Sequence, residues 1–221
     1  MSKIKKNIPQ KILVTAGPTR EMLDPVRFLS NLSTGEMGYT LARVARKRGH
    51  EVTLISGPTA LQAPRGVRFV PVLTAEGMRR ACRRLFGAHD VLIMTAAVCD
   101  YTATIRQRQK IRRVRSKKIH LKRTPDIVAE LAARKGRRVV IGFSLETRNW
   151  IGNAKEKLTR KKLNGIVANY YVEGKYSPFG PSKVNAALIA RGNEPRILRG
   201  FSKQRLAGSI LSWIGNLKKE Y

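Results

Sequence analysis

Residues 11–17, Lys11-Ile12-Leu13-Val14-Thr15-Ala16-Gly17, and residues 35–49, GEMGYTLARVARKRG, decide the fold. The first is an apolar run without polar alternation, the pattern of a strand covered on both faces. The second spaces Met37, Leu41, Val44 and Ala45 as one side of a helix and stops at Gly49. The unit then recurs. Residues 51–57 (EVTLISG) and 67–72 (VRFVPV) are strands, residues 75–86 (AEGMRRACRRLF) a helix with Met78, Ala81, Cys82 and Leu85 on one face, and residues 90–98 (DVLIMTAAV) the most apolar strand. Residues 125–136 (PDIVAELAARKG) open on proline and close on glycine, as helices do. Residues 138–146 (RVVIGFSLE), a helix around residues 153–163 and residues 165–170 (GIVANY) repeat the unit again. Such a series predicts an α/β fold, doubly wound around a mostly parallel, Rossmann-like sheet. The end of the chain departs from it. Residues 183–190 and 195–200, separated by Arg191-Gly192-Asn193-Glu194, read as a hairpin, and residues 202–218 as a last helix burying Leu206, Ile210, Leu211 and Ile214.

The chain has 221 residues, and 45 Lys and Arg against 14 Asp and Glu give a formal net charge of +31. Apolar residues make up 42%, so the charge sits on a folding chain. The length suits one domain: residues 1–10 as a basic tail and residues 11–221 as the folded unit. Anionic partners are expected; charge alone does not say whether they are nucleotides, nucleic acid or acidic membranes. Two cysteines and three scattered histidines exclude a disulfide framework and give no metal-ligand spacing. No apolar run approaches the roughly 18 residues of a membrane span, and a soluble, cytoplasmic protein is expected.

Ligands of such folds bind beyond the carboxyl ends of the strands. Here those ends carry Gly17, then Ala96-Ala97-Val98-Cys99-Asp100, then Gly142-Phe143-Ser144, then Ala168-Asn169. Asp100 supplies a carboxylate for a hydroxyl or a metal. The glycine-rich dinucleotide fingerprint is missing, because residues 18–34 intervene between Gly17 and Gly35. That excursion ends in Ser30-Asn31-Leu32-Ser33-Thr34-Gly35, a cluster of capping residues that reads either as an ordinary N-cap or as a phosphate site at a helix N-terminus. Residues 104–123 hold ten Lys and Arg and no acid, with Ile111, Val114, Ile119 and Leu121 interleaved. A solvated flap, a nucleic-acid patch and a lid over a polyphosphate all fit that composition, though few aromatics are present for base stacking. Lys157 and Lys161 share one helix face. Cys82 fits a helix core, and Cys99 shows no partner in the sequence that would make it a nucleophile.

The string Thr15-Ala16-Gly17-Pro18-Thr19-Arg20-Glu21, with Asp24 to Asn31, Ser33-Thr34-Gly35 and Met37-Gly38, resembles the signature of phosphopantothenoylcysteine synthetases. The likeness continues through residues 96–101, Lys110-Ile111, Thr124-Pro125-Asp126-Ile127, residues 142–147, residues 154–158 and Val167-Ala168-Asn169, covering nearly the whole chain. The resemblance implies a ligase of coenzyme A biosynthesis: the carboxylate of 4′-phosphopantothenate attacks the α-phosphate of CTP, and cysteine then displaces CMP from the acyl-cytidylate, with Mg²⁺ assisting. It implies that Asn31 holds the acyl-cytidylate as an amide donor and that Arg27 binds the pantothenate side. By the same likeness Gly17, Ser33, Gly35, Ala96, Ala97 and Asp100 line the nucleotide-binding turn, with Asp100 the possible metal ligand. Lys110 belongs to a flap over about residues 101–124, and Pro125, Asp126, Ile127, Val128, Phe143, Lys157 and Lys161 contact CTP. A homodimer is implied, with nucleic acid at most a nonspecific associate and no membrane partner. About ten residues precede the first strand, so a stand-alone synthetase is expected, with no FMN and with the decarboxylase elsewhere. Glu36 stands where the family often has lysine, and Leu32, Thr34 and Asn164 also depart from its pattern. A short-chain NAD(P)-dependent reductase would need a glycine-rich first turn and a Tyr-x-x-x-Lys pair, and neither is present; the other alternative is a non-catalytic, basic nucleic-acid-binding protein. The flap accounts for +10 of the charge, leaving +21 that no motif explains.

Overall fold

A computed structural model describes residues 9–113, 118–172, 179 and 183–218. The basic tail up to residue 8, and Val114, Arg115 and Lys117 of the flap, lie outside the described residues. In chain order the elements are β1 (Lys11–Ala16), β2 (Glu21–Met22), β3 (Phe28–Leu29), α1 (Glu36–Lys47), β4 (Glu51–Ser56), β5 (Arg68–Pro71), α2 (Ala75–Phe86) and β6 (Val91–Met94). There follow β7 (Tyr101–Ala103), β8 (Leu121–Arg123), α3 (Ile127–Ala132), β9 (Val139–Glu146), α4 (Trp150–Arg160), β10 (Gly165–Tyr170), β11 (Val184–Ala190), β12 (Arg196–Phe201) and α5 (Lys203–Leu217).

Eight strands form the main sheet in the order β12-β11-β10-β9-β6-β1-β4-β5. The six from β5 to β10 are parallel, and β11 and β12 add the antiparallel hairpin expected at the end of the chain. Counted along the sequence, the parallel strands lie third, second, first, fourth, fifth, sixth, which is the Rossmann order. The winding therefore reverses between β1 and β6, and the crevice of this fold opens beyond their carboxyl ends. Both faces are covered, as the unalternating apolar runs require. One core packs α1 and α5 on Ile12, Val14, Val91, Ile93 and Ile141; the other packs α2, α3 and α4 on Leu13, Leu92, Val140 and Ile166.

The differences from the expected elements are local. The third helix is a six-residue turn capped by Asp126, whose side chain accepts from Ala129 N, so Pro125 stands ahead of the helix rather than in it. The fourth begins earlier than expected, with Asn149 as N-cap in the left-handed region at φ 43°. Asn164, at one of the family's common Asp positions, is buried and accepts from Val140 N through Oδ1 at 2.9 Å, so the amide has a structural use. Two small ribbons stand outside the main sheet: β2–β3, in a segment without periodicity, and β7–β8, antiparallel strands flanking the basic segment whose interleaved apolar residues read as an extended hairpin. The first is fixed to the sheet layer by Glu21, whose buried Oε1 accepts from Ala75 N at 2.7 Å at the start of α2.

Gly38 sets how closely α1 lies on the sheet at the reversal. A Cβ there would stand 2.5 Å from Ala16 Cβ, 2.6 Å from Thr95 Oγ1 and 3.0 Å from Thr15 O. The last of these is backbone and cannot move aside. Gly38→Val should destabilise the domain by about 1–3 kcal/mol, the usual penalty of overpacking, read as a lower urea midpoint with an unchanged slope.

Candidate functional site

The mouth of the crevice is made of three loops tied together by backbone. Beyond β1, Gly17 turns the chain at φ 70°, and Pro18 pairs with Ala97 in a one-residue parallel bridge beyond β6. Ala97 N donates to Gly17 O at 3.0 Å, Thr19 N to Ala97 O at 3.2 Å, and Cys99 N to Thr19 Oγ1 at 2.9 Å. The excursion of residues 18–34 comes back to the same spot: Ser30 Oγ donates to Thr19 O at 2.9 Å and Asn31 Nδ2 to Ala97 O at 2.9 Å.

The residue after this excursion, Gly35, is the N-cap of α1 at φ 80° and has no side chain with which to cap the helix. Ser33 Oγ accepts from Gly35 N at 3.3 Å and Thr34 Oγ1 from Glu36 N at 3.4 Å, which shapes the turn. Thr34 thus takes the first N–H of the helix, and the rest of the first turn faces the crevice with its N–H dipoles. A Cβ on Gly35 would lie 3.2 Å from both Cα and N of Gly17. Gly17 for the turn, Gly35 for close backbone approach and Gly38 for helix packing thus fill the three roles of a dinucleotide-type glycine fingerprint. The first role is separated from the others by the excursion, which is why the contiguous motif is missing.

A cavity of about 960 Å³ opens here. One wall is Asn31, Ser33 and Gly35 with the first turn of α1; the floor is Ala96, Ala97 and Asp100; the far wall is Pro125, Asp126, Ile127 and Val128, with Phe143 from β9 and Lys157 and Lys161 from α4 and its C-cap. Lys157 pairs with Glu146, and Lys161 lies 2.9 Å from Asp126 Oδ2. The Asp100 carboxylate takes no hydrogen bond or ion pair among the described residues. No group of three or more potential metal ligands occurs among them.

Arg27 and Lys110 stand outside this lining, and Gly17 supports it from behind. Arg27 Nη1 donates to Ile111 O at 3.1 Å, and Ile111 N donates to Asp24 Oδ2 at 3.0 Å, so the basic segment is tied next to Arg27 with Lys110 exposed beside the join. Burial pushes the Asp24 carboxyl up, but the backbone N–H groups of Ile111, Val26 and Arg27, together with the Arg27 guanidinium, bring it below the usual carboxylate range. The anchor is thus ionised at neutral pH and is lost only as pH falls through that lowered value.

Sequence reading gave no particular role to several residues at or beside the cavity. Lys203, at the start of α5, is buried and paired directly with Glu36, so the acid found at the family's usual lysine position is neutralised by a cation from the far end of the chain. Glu146 holds Lys157 and also accepts from Asn153 Nδ2 at 2.9 Å. Ser144 Oγ is buried without a hydrogen-bond partner at the cavity wall, a polar group that a ligand can satisfy. Burial pushes both thiols up, Cys82 to about 12, so neither is ionised at neutral pH. No helix among the described residues is long and apolar enough to cross a membrane.

The architecture is an α/β domain of Rossmann strand order with its cavity where the winding of the sheet reverses. Residues 8–217 match the model of the DNA/pantothenate metabolism flavoprotein C-terminal domain, and the chain belongs to that family. It is 39% identical over 211 residues to the coenzyme A biosynthesis bifunctional protein CoaBC of Bacillus subtilis, covering 95% of this chain and 52% of that protein. The Escherichia coli protein of the same name is 44% identical over 163 residues, 72% of this chain and 40% of that one. The chain thus spans about half the length, or less, of these relatives. The crystal structure of the C-terminal domain of a CoaBC protein superposes with a TM-score of 0.82 at 37% identity, covering 96% of this chain and 97% of that one.

Asp24→Ala should release the segment of residues 107–111 without unfolding the sheet. Trypsin cleavage after Arg108 and Lys110 should then accelerate about tenfold or more, the loss of a charge-assisted anchor, while the main thermal transition persists.

Proposed function

We propose that this domain joins 4′-phosphopantothenate to cysteine, using CTP and releasing CMP and pyrophosphate. Family membership and the names of the relatives support that reading. The observation that carries it is the pairing of the first turn of α1 with Lys157 and Lys161 across one cavity, which suits a substrate that is anionic at two places. A carboxylate oxygen attacks the α-phosphorus, the bond to pyrophosphate breaks, and the acyl-cytidylate remains. The amine of cysteine then forms the C–N bond as CMP departs. Neither step requires a protein nucleophile, in keeping with two neutral, buried cysteines.

The protein's contribution is position and charge held in place before the reaction. The α1 end and the Ser33–Gly35 turn receive phosphate oxygens, and Lys157 and Lys161, oriented by Glu146 and Asp126, neutralise charge on the triphosphate. Phe143 and residues 125–128 face the nucleoside. Mg²⁺ takes few protein ligands and mostly phosphate oxygens, so the unpaired Asp100 is the side chain that would hold it, where it would offset charge on the leaving pyrophosphate. Arg27 and the flap's Lys110 stand where a phosphorylated acid enters. The flap cations serve as a lid in this reading, and a second copy of the chain is the expected assembly partner.

Incubation with 4′-phosphopantothenate, cysteine, Mg²⁺ and either CTP or ATP should release pyrophosphate, faster with CTP. Silence with both nucleotides overturns the proposal. Lys157→Ala should raise the KM for the nucleotide about 10- to 100-fold, the range for losing a hydrogen bond to a charged group, with the KM for cysteine little changed.

A further inference from the structure

The side-chain amide of Asn31 has both of its N–H groups engaged by protein. Nδ2 donates to Ala97 O at 2.9 Å and lies 3.7 Å from Cys99 Sγ, within reach of an N–H···S hydrogen bond. The reverse amide orientation would set Oδ1 against the Ala97 carbonyl, two acceptors face to face, so the network itself fixes which atom points where. Cys99 is held in turn. Its thiol donates to Thr19 O at 3.4 Å, with Leu29 O at 3.7 Å, and its backbone N donates to Thr19 Oγ1 at 2.9 Å. Thr124 Oγ1 donates to Cys99 O at 2.5 Å. Burial keeps the thiol protonated, so sulfur serves at once as donor to the carbonyls and as acceptor from Asn31. What Asn31 leaves free is Oδ1, which takes no hydrogen bond among the described residues and belongs to a side chain at the cavity wall.

An acceptor does not stabilise an oxyanion. It suits an attacking amine, whose N–H bonds become more acidic as nitrogen donates its lone pair. We propose that Asn31 acts through Oδ1, accepting an N–H of the incoming cysteine amine and aiming its lone pair at the acyl carbon, and that Cys99 is the positioning residue that locks the amide in that orientation. This rests on the ligase reading above. In the step concerned the C–N bond forms, the acyl C–O bond to CMP breaks with its electron pair going to the phosphate, and the amine proton passes to the departing phosphate.

The test separates the two half-reactions. Wild type, Cys99→Ala and Cys99→Ser are first given nucleotide, Mg²⁺ and 4′-phosphopantothenate without cysteine, and pyrophosphate is timed in a single turnover; cysteine is then added and CMP release is timed. Cys99→Ala should leave the first step within about twofold and slow the second about tenfold, the effect of one lost hydrogen bond on a reacting geometry. Cys99→Ser, which keeps a donor and acceptor at shorter reach, should restore most of the second step. Should Cys99→Ala fail to fold, Cys99→Ser read by itself still decides, with a selective slowing of the second step of about threefold expected. Equal slowing of both steps, or no change in their ratio in the variant that folds, overturns the role given to Cys99. Absence of pyrophosphate release in the wild type would instead overturn the ligase reading on which it stands.

Discussion

The site depends on one join: the backbone beyond β1 must lie against the backbone beyond β6. The Pro18–Ala97 bridge and the hydrogen bonds between Gly17, Thr19 and Ala97 make that contact where the winding of the sheet reverses. From it follow the position of Asn31, which hangs from Ala97 O, and that of Asp100, the residue after Cys99, whose backbone N is held by Thr19 Oγ1. The glycines answer to the same constraint. Gly57, next to this join, has a would-be Cβ 1.8 Å from Pro18 O, so even the neighbouring β4 end admits no side chain.

Much of this was legible in the sequence because the physics involved is local or periodic. The parallel strands are unalternating apolar runs, and a doubly wound parallel sheet follows from that pattern once helices separate them. The hairpin of β11 and β12 was legible from its Gly-Asn turn. Helix ends were less so: Pro125 looked like the first residue of α3, whereas Asp126 caps it, since one side-chain hydrogen bond decides that boundary. The split glycine pattern was illegible because the signal is a spacing, and the excursion of residues 18–34 removes the spacing while leaving the geometry. A Gly-x-x-Gly at Gly35 and Gly38 after a cluster of Ser and Thr was the remaining clue. The pairing of Lys203 with Glu36 joins positions at opposite ends of the chain, and nothing in either local sequence announces it.

The charge excess becomes partly intelligible through the acids. Asp24, Glu36, Asp126, Glu130 and Glu146 each have a basic partner, and most of those pairs orient a side chain at or near the cavity. Other acids, Glu51, Glu76, Asp90 and Glu156, pair with bases on the surface, and 14 acids against 45 bases leave most of the cations without such a partner. The exposed Arg43 and Arg46 of α1 and Arg80 and Arg84 of α2 have no acid partner among the described residues, and the structure gives them no further role.

The hydrogen bonds at the mouth join residues far apart in sequence: 66 positions for Asn31 to Ala97, 80 for Cys99 to Thr19, 87 for Ile111 to Asp24. Loop closures of that length must be completed before any of these bonds can form. The pairing of β1 with β6 closes a loop of the same length, so the mouth adds little further loop-closure cost once those strands have met.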